Sequence, residues 1–197
     1  MDERPGLTAR QALQSRIESY LLYKRVQCSQ CVLLLLQDAL GPYDPRFLAA
    51  TRSLGRGIGG SGNLCGAVVA GVLALGLRGQ SKDSGSLGDE GPPLGVRTVR
   101  PKNDWLDVFC PEPEEPALFA RCRELLSRLS SQVLPLAGSL NCSDISGVEW
   151  SSATPFQLSL YRSPEGGMAR CVEVIATTAD TVRELLDEQP AGCSGAC

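Results

Sequence analysis

Apolar side chains recur every three or four residues along most of this chain, and that period limits its fold more than any other feature. It is the period of an α-helix with one buried face. It occupies segments near residues 9–26, 28–39, 64–77, 116–133 and 171–188. A shorter helix is expected over residues 44–54, because Asp44 suits an N-cap and Pro45 suits a first turn. We therefore predict an all-α fold, a compact bundle of about six helices.

The segments between these helices define the rest of the expected domain. A glycine-rich loop, residues 55–63, precedes the central helix and places Cys65 in its first turn. A stretch rich in Gly, Ser, Asp and Pro, about residues 79–104, has no period and predicts a flexible insertion. We expect the fourth long helix to end before Pro135 and the run Phe156–Tyr161 to form a strand. We therefore predict one domain, 1–197, with a flexible cysteine-containing tail at 189–197.

Composition narrows the chemistry to thiols. The 197 residues contain nine cysteines and no histidine, which excludes Ser-His-Asp and Cys-His catalysis and mixed Cys/His zinc sites. A formal charge of -3 has the wrong sign for general electrostatic attraction to nucleic acid. No apolar run reaches the roughly 20 residues of a membrane span, and no export signal is visible. We expect a cytosolic protein whose cysteines are thiols, metal ligands or redox pairs.

Cys65 is the strongest candidate for reactivity. A thiol in the first turn of a helix feels the positive end of the helix dipole, which favours the thiolate. The alternative is that Cys65 is a small buried hydrophobe, since free cysteine is often buried. Cys28-x-x-Cys31 has the spacing of redox dithiols and metal-ligand pairs, but two core cysteines would look the same. Either reading stays open for both sites.

The glycine-rich loop contains the pattern Gly57-x-Gly59-x-x-Gly62, which also occurs in dinucleotide-binding proteins. That fingerprint works as a turn between a strand and a helix, and here a helix precedes it. Nucleotide binding is therefore not expected. We expect the loop to direct backbone N–H groups towards Cys65, against a cluster sulfur or a thiolate.

The remaining cysteines have weaker signals. Cys122 replaces a leucine in a helical stripe, and Cys110 lies between Phe109 and Pro111, so both favour a structural role. The tail pair, Cys193 and Cys197, is an exposed thiol shuttle or an idle chain end.

Four blocks of sequence, in order, carry a family resemblance. The blocks are Cys28-Ser-Gln-Cys-Val32, the run from Gly57 to Ala67, Gly138-Ser-Leu-Asn-Cys142 and Arg170-Cys171-Val172-Glu173. Together they resemble the C_GCAxxG_C_C group, small redox-active bacterial and archaeal proteins named for four cysteines. This chain departs from the family name in reading Cys65-Gly66-Ala67, in closing the motif at Gly71 and in the long insertion before the third block.

The resemblance implies a redox or metal-centre role in which Cys28, Cys65, Cys142 and Cys171 form one site. Four thiolates match the ligand count of a [2Fe–2S] or [4Fe–4S] cluster used for electron transfer, bordered by the backbone of the loop glycines and the following helix start, Gly59, Gly60, Gly62 and Gly66. Two alternatives remain: a metal-free thiol–disulfide protein with Cys65 as the catalytic thiol, and a structural four-cysteine zinc site in an interaction module. Each redox reading expects a redox partner protein, and a homodimer is an open alternative to a monomer.

Overall fold

The computed structural model describes residues 8–78, 115–163 and 165–188. These residues form eight α-helices, two 3₁₀ turns (Thr51–Leu54 and Trp150–Ser152) and an isolated β-bridge between Leu64 and Asn141. The helices are α1 (Ala9–Leu22), α2 (Cys28–Leu40), α3 (Pro45–Ala50), α4 (Gly66–Arg78), α5 (Glu115–Ala137), α6 (Cys142–Ser146), α7 (Pro155–Tyr161) and α8 (Gly167–Asp187). The all-α prediction is confirmed, with more short helices than the six expected. The predicted insertion, Cys110 and the tail with Cys193 and Cys197 lie outside the described residues.

Helices α2, α4 and α8 form the centre of the bundle and pack against one another. Their contact surfaces are fully buried, as at Leu36, Val68 and Ala179. Ala70 and Ala74 on α4 are also completely buried. Because their side chains are small, α4 can approach its neighbours closely. Helix α5 packs on α4 and α8, and α1 packs on α8.

Side-chain caps fix where several helices begin. The Thr8 hydroxyl and the Gln11 side chain form a capping box at the start of α1. The Asp44 carboxylate accepts the Arg46 N–H, so the predicted N-cap of α3 is confirmed. Every described helix is too short or too polar to cross a bilayer.

Two local expectations are wrong. The segment Phe156–Tyr161 is helical, because Thr154 and Gln157 form a capping box and Pro155 occupies the first turn of α7. Helix α5 also continues past Pro135 to Ala137. The proline lies in the last turn of a 23-residue helix, so its missing N–H removes one hydrogen bond without ending the helix.

Candidate functional site

Three of the four family-pattern cysteines stand where helices begin. Cys28 is the first residue of α2, Cys142 is the first residue of α6, and Cys65 immediately precedes α4. Cys171 lies one turn inside α8. The four thiols share one electrostatic neighbourhood, since charge on any of the other three raises the pKa of Cys28.

Backbone hydrogen bonds hold the second and third blocks of the motif together. The Cys65 N–H donates to the Leu140 carbonyl at 2.9 Å, and the Cys142 N–H donates to the Asn63 carbonyl at 2.7 Å. The Ser143 N–H adds a bond of 2.9 Å to the Gly62 carbonyl. These contacts bring Cys142 beside Cys65 although 76 residues separate them in the sequence.

Three donor groups lower the pKa of the Cys65 thiol. The S–H of Cys28 is the strongest influence, and the amides of Ala67 and Val68 also donate to the same sulfur. Together they lower the pKa of Cys65 to about 7 although only 5% of the residue is exposed, and burial alone would raise it. Cys65 thus acts as the N-cap of α4. The sequence predicts that Cys65 lies in the first turn, whereas the helix begins one residue later, at Gly66.

Cys28 supplies the proton in this contact. Donating its S–H to Cys65 raises the pKa of Cys28 well above the ordinary value, and burial raises it further. The two sulfurs therefore share one proton and one negative charge around neutral pH.

The other two thiols stay protonated. Burial raises the pKa of Cys142 to about 11 and that of Cys171 to about 12, and charge on Cys65 adds to both shifts. The Tyr161 hydroxyl donates to Cys171 and opposes its shift. Tyr161 also packs edge-on against Trp150, with ring centroids 5.4 Å apart.

Trp150 and Tyr161 are the site residues that sequence reasoning misses. The indole N–H of Trp150 lies near the Cys142 sulfur and lowers the pKa of Cys142. It does not form a hydrogen bond of good geometry with any acceptor among the described residues. The capping box of α7 is the signal that could have placed Tyr161 on a helix rather than a strand.

The glycine-rich loop supports the site by its shape. Gly57, Gly59, Gly60 and Gly62 have φ between +66° and +79°, the left-handed region that favours glycine. The amides of Gly59, Gly60 and Gly62 donate to carbonyls of residues 53–56. Those amides donate within the loop and to the residues just before it. The expectation that they would face Cys65 is therefore wrong for these three glycines.

Gly66 permits the closest approach in the site. A Cβ atom there would collide with the Leu54 carbonyl oxygen and would stand 3.2 Å from the Cys28 sulfur. The absence of a side chain at Gly66 therefore lets α2 bring Cys28 against Cys65.

Two described cysteines, Cys31 and Cys122, lie outside the four-cysteine pattern and away from the site. Cys31 is fully buried in the hydrophobic core, and that burial raises its pKa to about 12. Cys122 is half-buried on α5, and burial raises its pKa as well. The Cys28-x-x-Cys31 spacing thus places one thiol at the site and the other in the core.

The four thiols suit a soft metal in number and type, but not in spacing. Within residues 8–78, 115–163 and 165–188, no three cysteine, aspartate or glutamate side chains stand at metal-ligand spacing. The chemistry that this arrangement supports directly is that of the thiols themselves.

An open hollow of about 820 Å³ gives access to the site. Cys28, Cys142 and Cys171 lie in its wall, together with Trp150 and Tyr161. A small molecule in this hollow would meet Cys28 before the more deeply buried Cys65.

The protein is a helical bundle with no histidine, and its thiols lie at helix starts beside an open hollow. These features define a protein whose chemistry depends on cysteine thiols. The chain belongs to the C_GCAxxG_C_C family, whose model, described as "Putative redox-active protein (C_GCAxxG_C_C)", matches residues 26–185. No curated protein and no solved structure matches the chain. The family resemblance is confirmed, and with it the general assignment to redox-active proteins.

Proposed function

We propose that this chain is a thiol–disulfide redox protein whose working pair is Cys28 and Cys65. The observation that carries the proposal is the close approach of Cys28 to the start of α4, where a Cβ atom on Gly66 would stand 3.2 Å from the Cys28 sulfur. At this position the Cys28 S–H and two amides lower the pKa of Cys65. Thiol–disulfide exchange needs a thiolate at neutral pH and a second thiol close enough to resolve the mixed disulfide. The pair supplies both.

The positions of the two cysteines relative to the hollow set the order of the steps. Cys28 lines the hollow, whereas Cys65 is 5% exposed. Cys28 passes its proton to Cys65 and attacks one sulfur of a substrate disulfide. The substrate S–S bond breaks, a mixed disulfide forms on Cys28, and the leaving thiolate takes the proton from Cys65.

Resolution completes the exchange. The Cys65 thiolate attacks the Cys28 sulfur, the Cys28–Cys65 disulfide forms, and the second substrate thiolate leaves and takes a proton from water. Two electrons pass from the cysteine pair to the substrate, which becomes two thiols. The substrate disulfide is the oxidant, so atoms and electrons balance. The reverse reaction would reduce the pair with two substrate thiols.

Variant proteins test the pair and the order together. We expect the oxidised wild type to contain a Cys28–Cys65 disulfide, seen as a crosslinked peptide by mass spectrometry. Cys65→Ser should trap the substrate as a mixed disulfide on Cys28, because the resolving thiol is gone. Cys122→Ser is the matched control and should oxidise like the wild type. A crosslink between other cysteines, or no two-electron oxidation, would contradict the proposal.

An iron–sulfur cluster is the second candidate, and one observation favours it. Four thiols from four separate elements, Cys28, Cys65, Cys142 and Cys171, share one neighbourhood. They would be the ligands of a [2Fe–2S] or [4Fe–4S] cluster, which would supply one-electron transfer. Their side chains would have to rotate to reach the spacing that such a group requires.

Metal analysis separates the candidates. Protein purified without oxygen should contain no stoichiometric iron, zinc or acid-labile sulfide if the dithiol proposal is right. Iron and sulfide in matching amounts would replace it with the cluster. One zinc per chain would favour the structural zinc site instead.

A further inference from the structure

The hollow beside Cys28 is strongly positive in a protein that is negative overall. Four arginines line it, Arg25, Arg52, Arg56 and Arg162, and the described residues of its lining include no aspartate or glutamate. The chain carries a formal charge of -3, so general basicity does not explain this concentration. Charges of one sign in a concave site focus the field and attract the opposite charge.

None of these four arginines forms an ion pair with another residue that the structure describes. Among the described residues, the ion pairs are made by Arg10, Arg128 and Arg183. The Arg56 guanidinium instead lies 5.1 Å from the Trp150 ring centroid, a cation–π contact that leaves its N–H donors for a ligand.

The backbone holds two of the arginines in an unfavourable conformation. Arg25 has φ of 51° and Arg56 has φ of 57°, in the left-handed region that residues with a side chain rarely adopt. Glycine would fit both positions with less strain. Ile58, which is not among the residues lining the hollow, has a φ of 55°, so the strain fixes the course of the backbone here and orients Arg25 and Arg56 without itself marking a ligand.

The Trp150 indole also lines the hollow, and Arg56 lies over its ring. Its buried N–H lies near the Cys142 sulfur, without good hydrogen-bond geometry to any acceptor in the part of the chain that the structure describes. The indole therefore contributes to the site through its ring, which positions the Arg56 guanidinium.

We propose that the hollow binds a small disulfide that carries carboxylates, with the arginines holding the carboxylates and Cys28 meeting the disulfide. This inference rests on the proposed function and names its substrate class. Guanidinium groups pair with carboxylates through two parallel hydrogen bonds, which orients the ligand as well as attracting it. A hollow of about 820 Å³ is within the usual range for a small-molecule site.

The test compares three small disulfides as oxidants of the reduced protein. Glutathione disulfide is anionic, 2-hydroxyethyl disulfide is neutral and cystamine is cationic. Each rate constant is divided by the rate constant of that disulfide with a free model thiolate, which removes differences in intrinsic reactivity. We expect the wild type to favour the anionic disulfide over the neutral one by roughly tenfold or more, and this preference to weaken as salt is added.

Two variants localise the effect. The double variant Arg52→Gln/Arg162→Gln should lose most of the anionic-over-neutral ratio. Arg46→Gln removes a positive charge from the exposed surface of α3 and should keep the ratio of the wild type. A ratio near one in the wild type, or an equal loss in Arg46→Gln, would overturn the inference.

A binding measurement separates this failure from failure of the proposed function. S-methylglutathione carries the same carboxylates but cannot exchange, and calorimetry should show that it binds the wild type more tightly than the double variant. If no disulfide oxidises the Cys28–Cys65 pair while S-methylglutathione still binds, the redox proposal fails and the anion site stands. If the pair is oxidised without selectivity and S-methylglutathione does not bind, only the substrate class fails.

Discussion

At the scale of single residues, the supply of hydrogen bonds decides which buried cysteine becomes acidic. Cys31 and Cys65 are both in the core, with 0% and 5% of their surfaces exposed. Burial raises the pKa of Cys31 to about 12, whereas the pKa of Cys65 falls to about 7. The difference follows first from the Cys28 S–H, which donates to Cys65, and then from position, because Cys65 stands before a helix whose first amides have no carbonyl partner.

This argument predicts the pH profile of Cys65. Alkylation by iodoacetamide should reach half its maximal rate near pH 7 at Cys65, since the reagent reacts with the thiolate. Replacing Cys28 with alanine removes the S–H donor, so the Cys65 midpoint should move to higher pH. Rates at each cysteine would be followed by peptide mass spectrometry, with circular dichroism to show that the variant is folded.

Cys122 provides the internal control for this measurement. Burial raises its pKa, so its midpoint should lie above that of Cys65 in the same samples. If the midpoints of Cys65 and Cys122 coincide, or if Cys28→Ala leaves the Cys65 midpoint unchanged, the hydrogen-bond explanation is wrong.

The sequence predicts only part of this residue-scale chemistry. The boundary between the glycine-rich loop and an apolar helix is enough to place Cys65 near free helical amides. The largest influence on its pKa is the S–H of Cys28, which is 37 residues away in the sequence. That contact depends on how α2 packs beside α4, and no local pattern encodes it.

At the scale of elements, the site depends on how closely the start of α4 approaches its neighbours. Gly66 faces the Leu54 carbonyl and the Cys28 sulfur, whereas a Cβ at Gly76, on the same helix, would have open space. We predict that Gly66→Ala destabilises the protein by about 1–3 kcal/mol through overpacking. Gly76→Ala should instead be neutral or stabilise it by up to ~1 kcal/mol, because alanine favours a helix.

Urea unfolding and alkylation would measure both consequences of this pair of substitutions. Gly66→Ala should also raise the alkylation midpoint of Cys65, because Cys28 is displaced from its hydrogen bond. Gly76→Ala should leave that midpoint unchanged. Similar mild effects of both variants on stability and on Cys65 would show that close packing at Gly66 does not hold the pair together.

Elements also show where sequence patterns mislead. The run Phe156-Gln-Leu-Ser-Leu-Tyr161 alternates apolar and polar residues as a strand would, yet it is α7. Its capping box is a sequence signal for a helix, and here that signal outweighs the alternation. The long helices are predicted well because each has a buried stripe over several turns, which short helices such as α6 and α7 are too brief to display.

At the scale of the molecule, the core formed by α2, α4 and α8 brings together residues from the whole chain. The four family-pattern cysteines span positions 28 to 171, and the arginines of the hollow come from the connections that follow α1, α3 and α7. Periodicity predicts that such a core exists but gives no packing order for the helices. The motif identifies the cysteines, whereas the arginines belong to no motif and emerge only from the packed structure.

The proposed disulfide would link two parts of this core and should therefore change global stability. Joining Cys28 to Cys65 closes a loop of roughly 40 residues, which by chain entropy stabilises the folded state by about 4 kcal/mol. We predict that the oxidised protein unfolds at a higher urea concentration than the reduced protein. The double variant Cys28→Ser/Cys65→Ser should show no such dependence on oxidation.

The size of this stability gap should also depend on pH, with a sign set by Cys65. In the reduced folded protein its pKa is about 7, below the ordinary value near 8.5 of an unfolded thiol. Between these values Cys65 binds fewer protons in the folded state than in the unfolded state, and this stabilises the reduced protein as pH rises. The raised pKa of Cys28 opposes this effect only near pH 8.5. The other buried thiols are present in both forms and cancel from the gap. The oxidised protein has no such thiolate, and the gap should be wider at pH 6 than at pH 8.5. Urea midpoints of both forms at the two pH values would check this, and a gap that stays constant or widens with pH would show that the pair does not hold a stabilised thiolate.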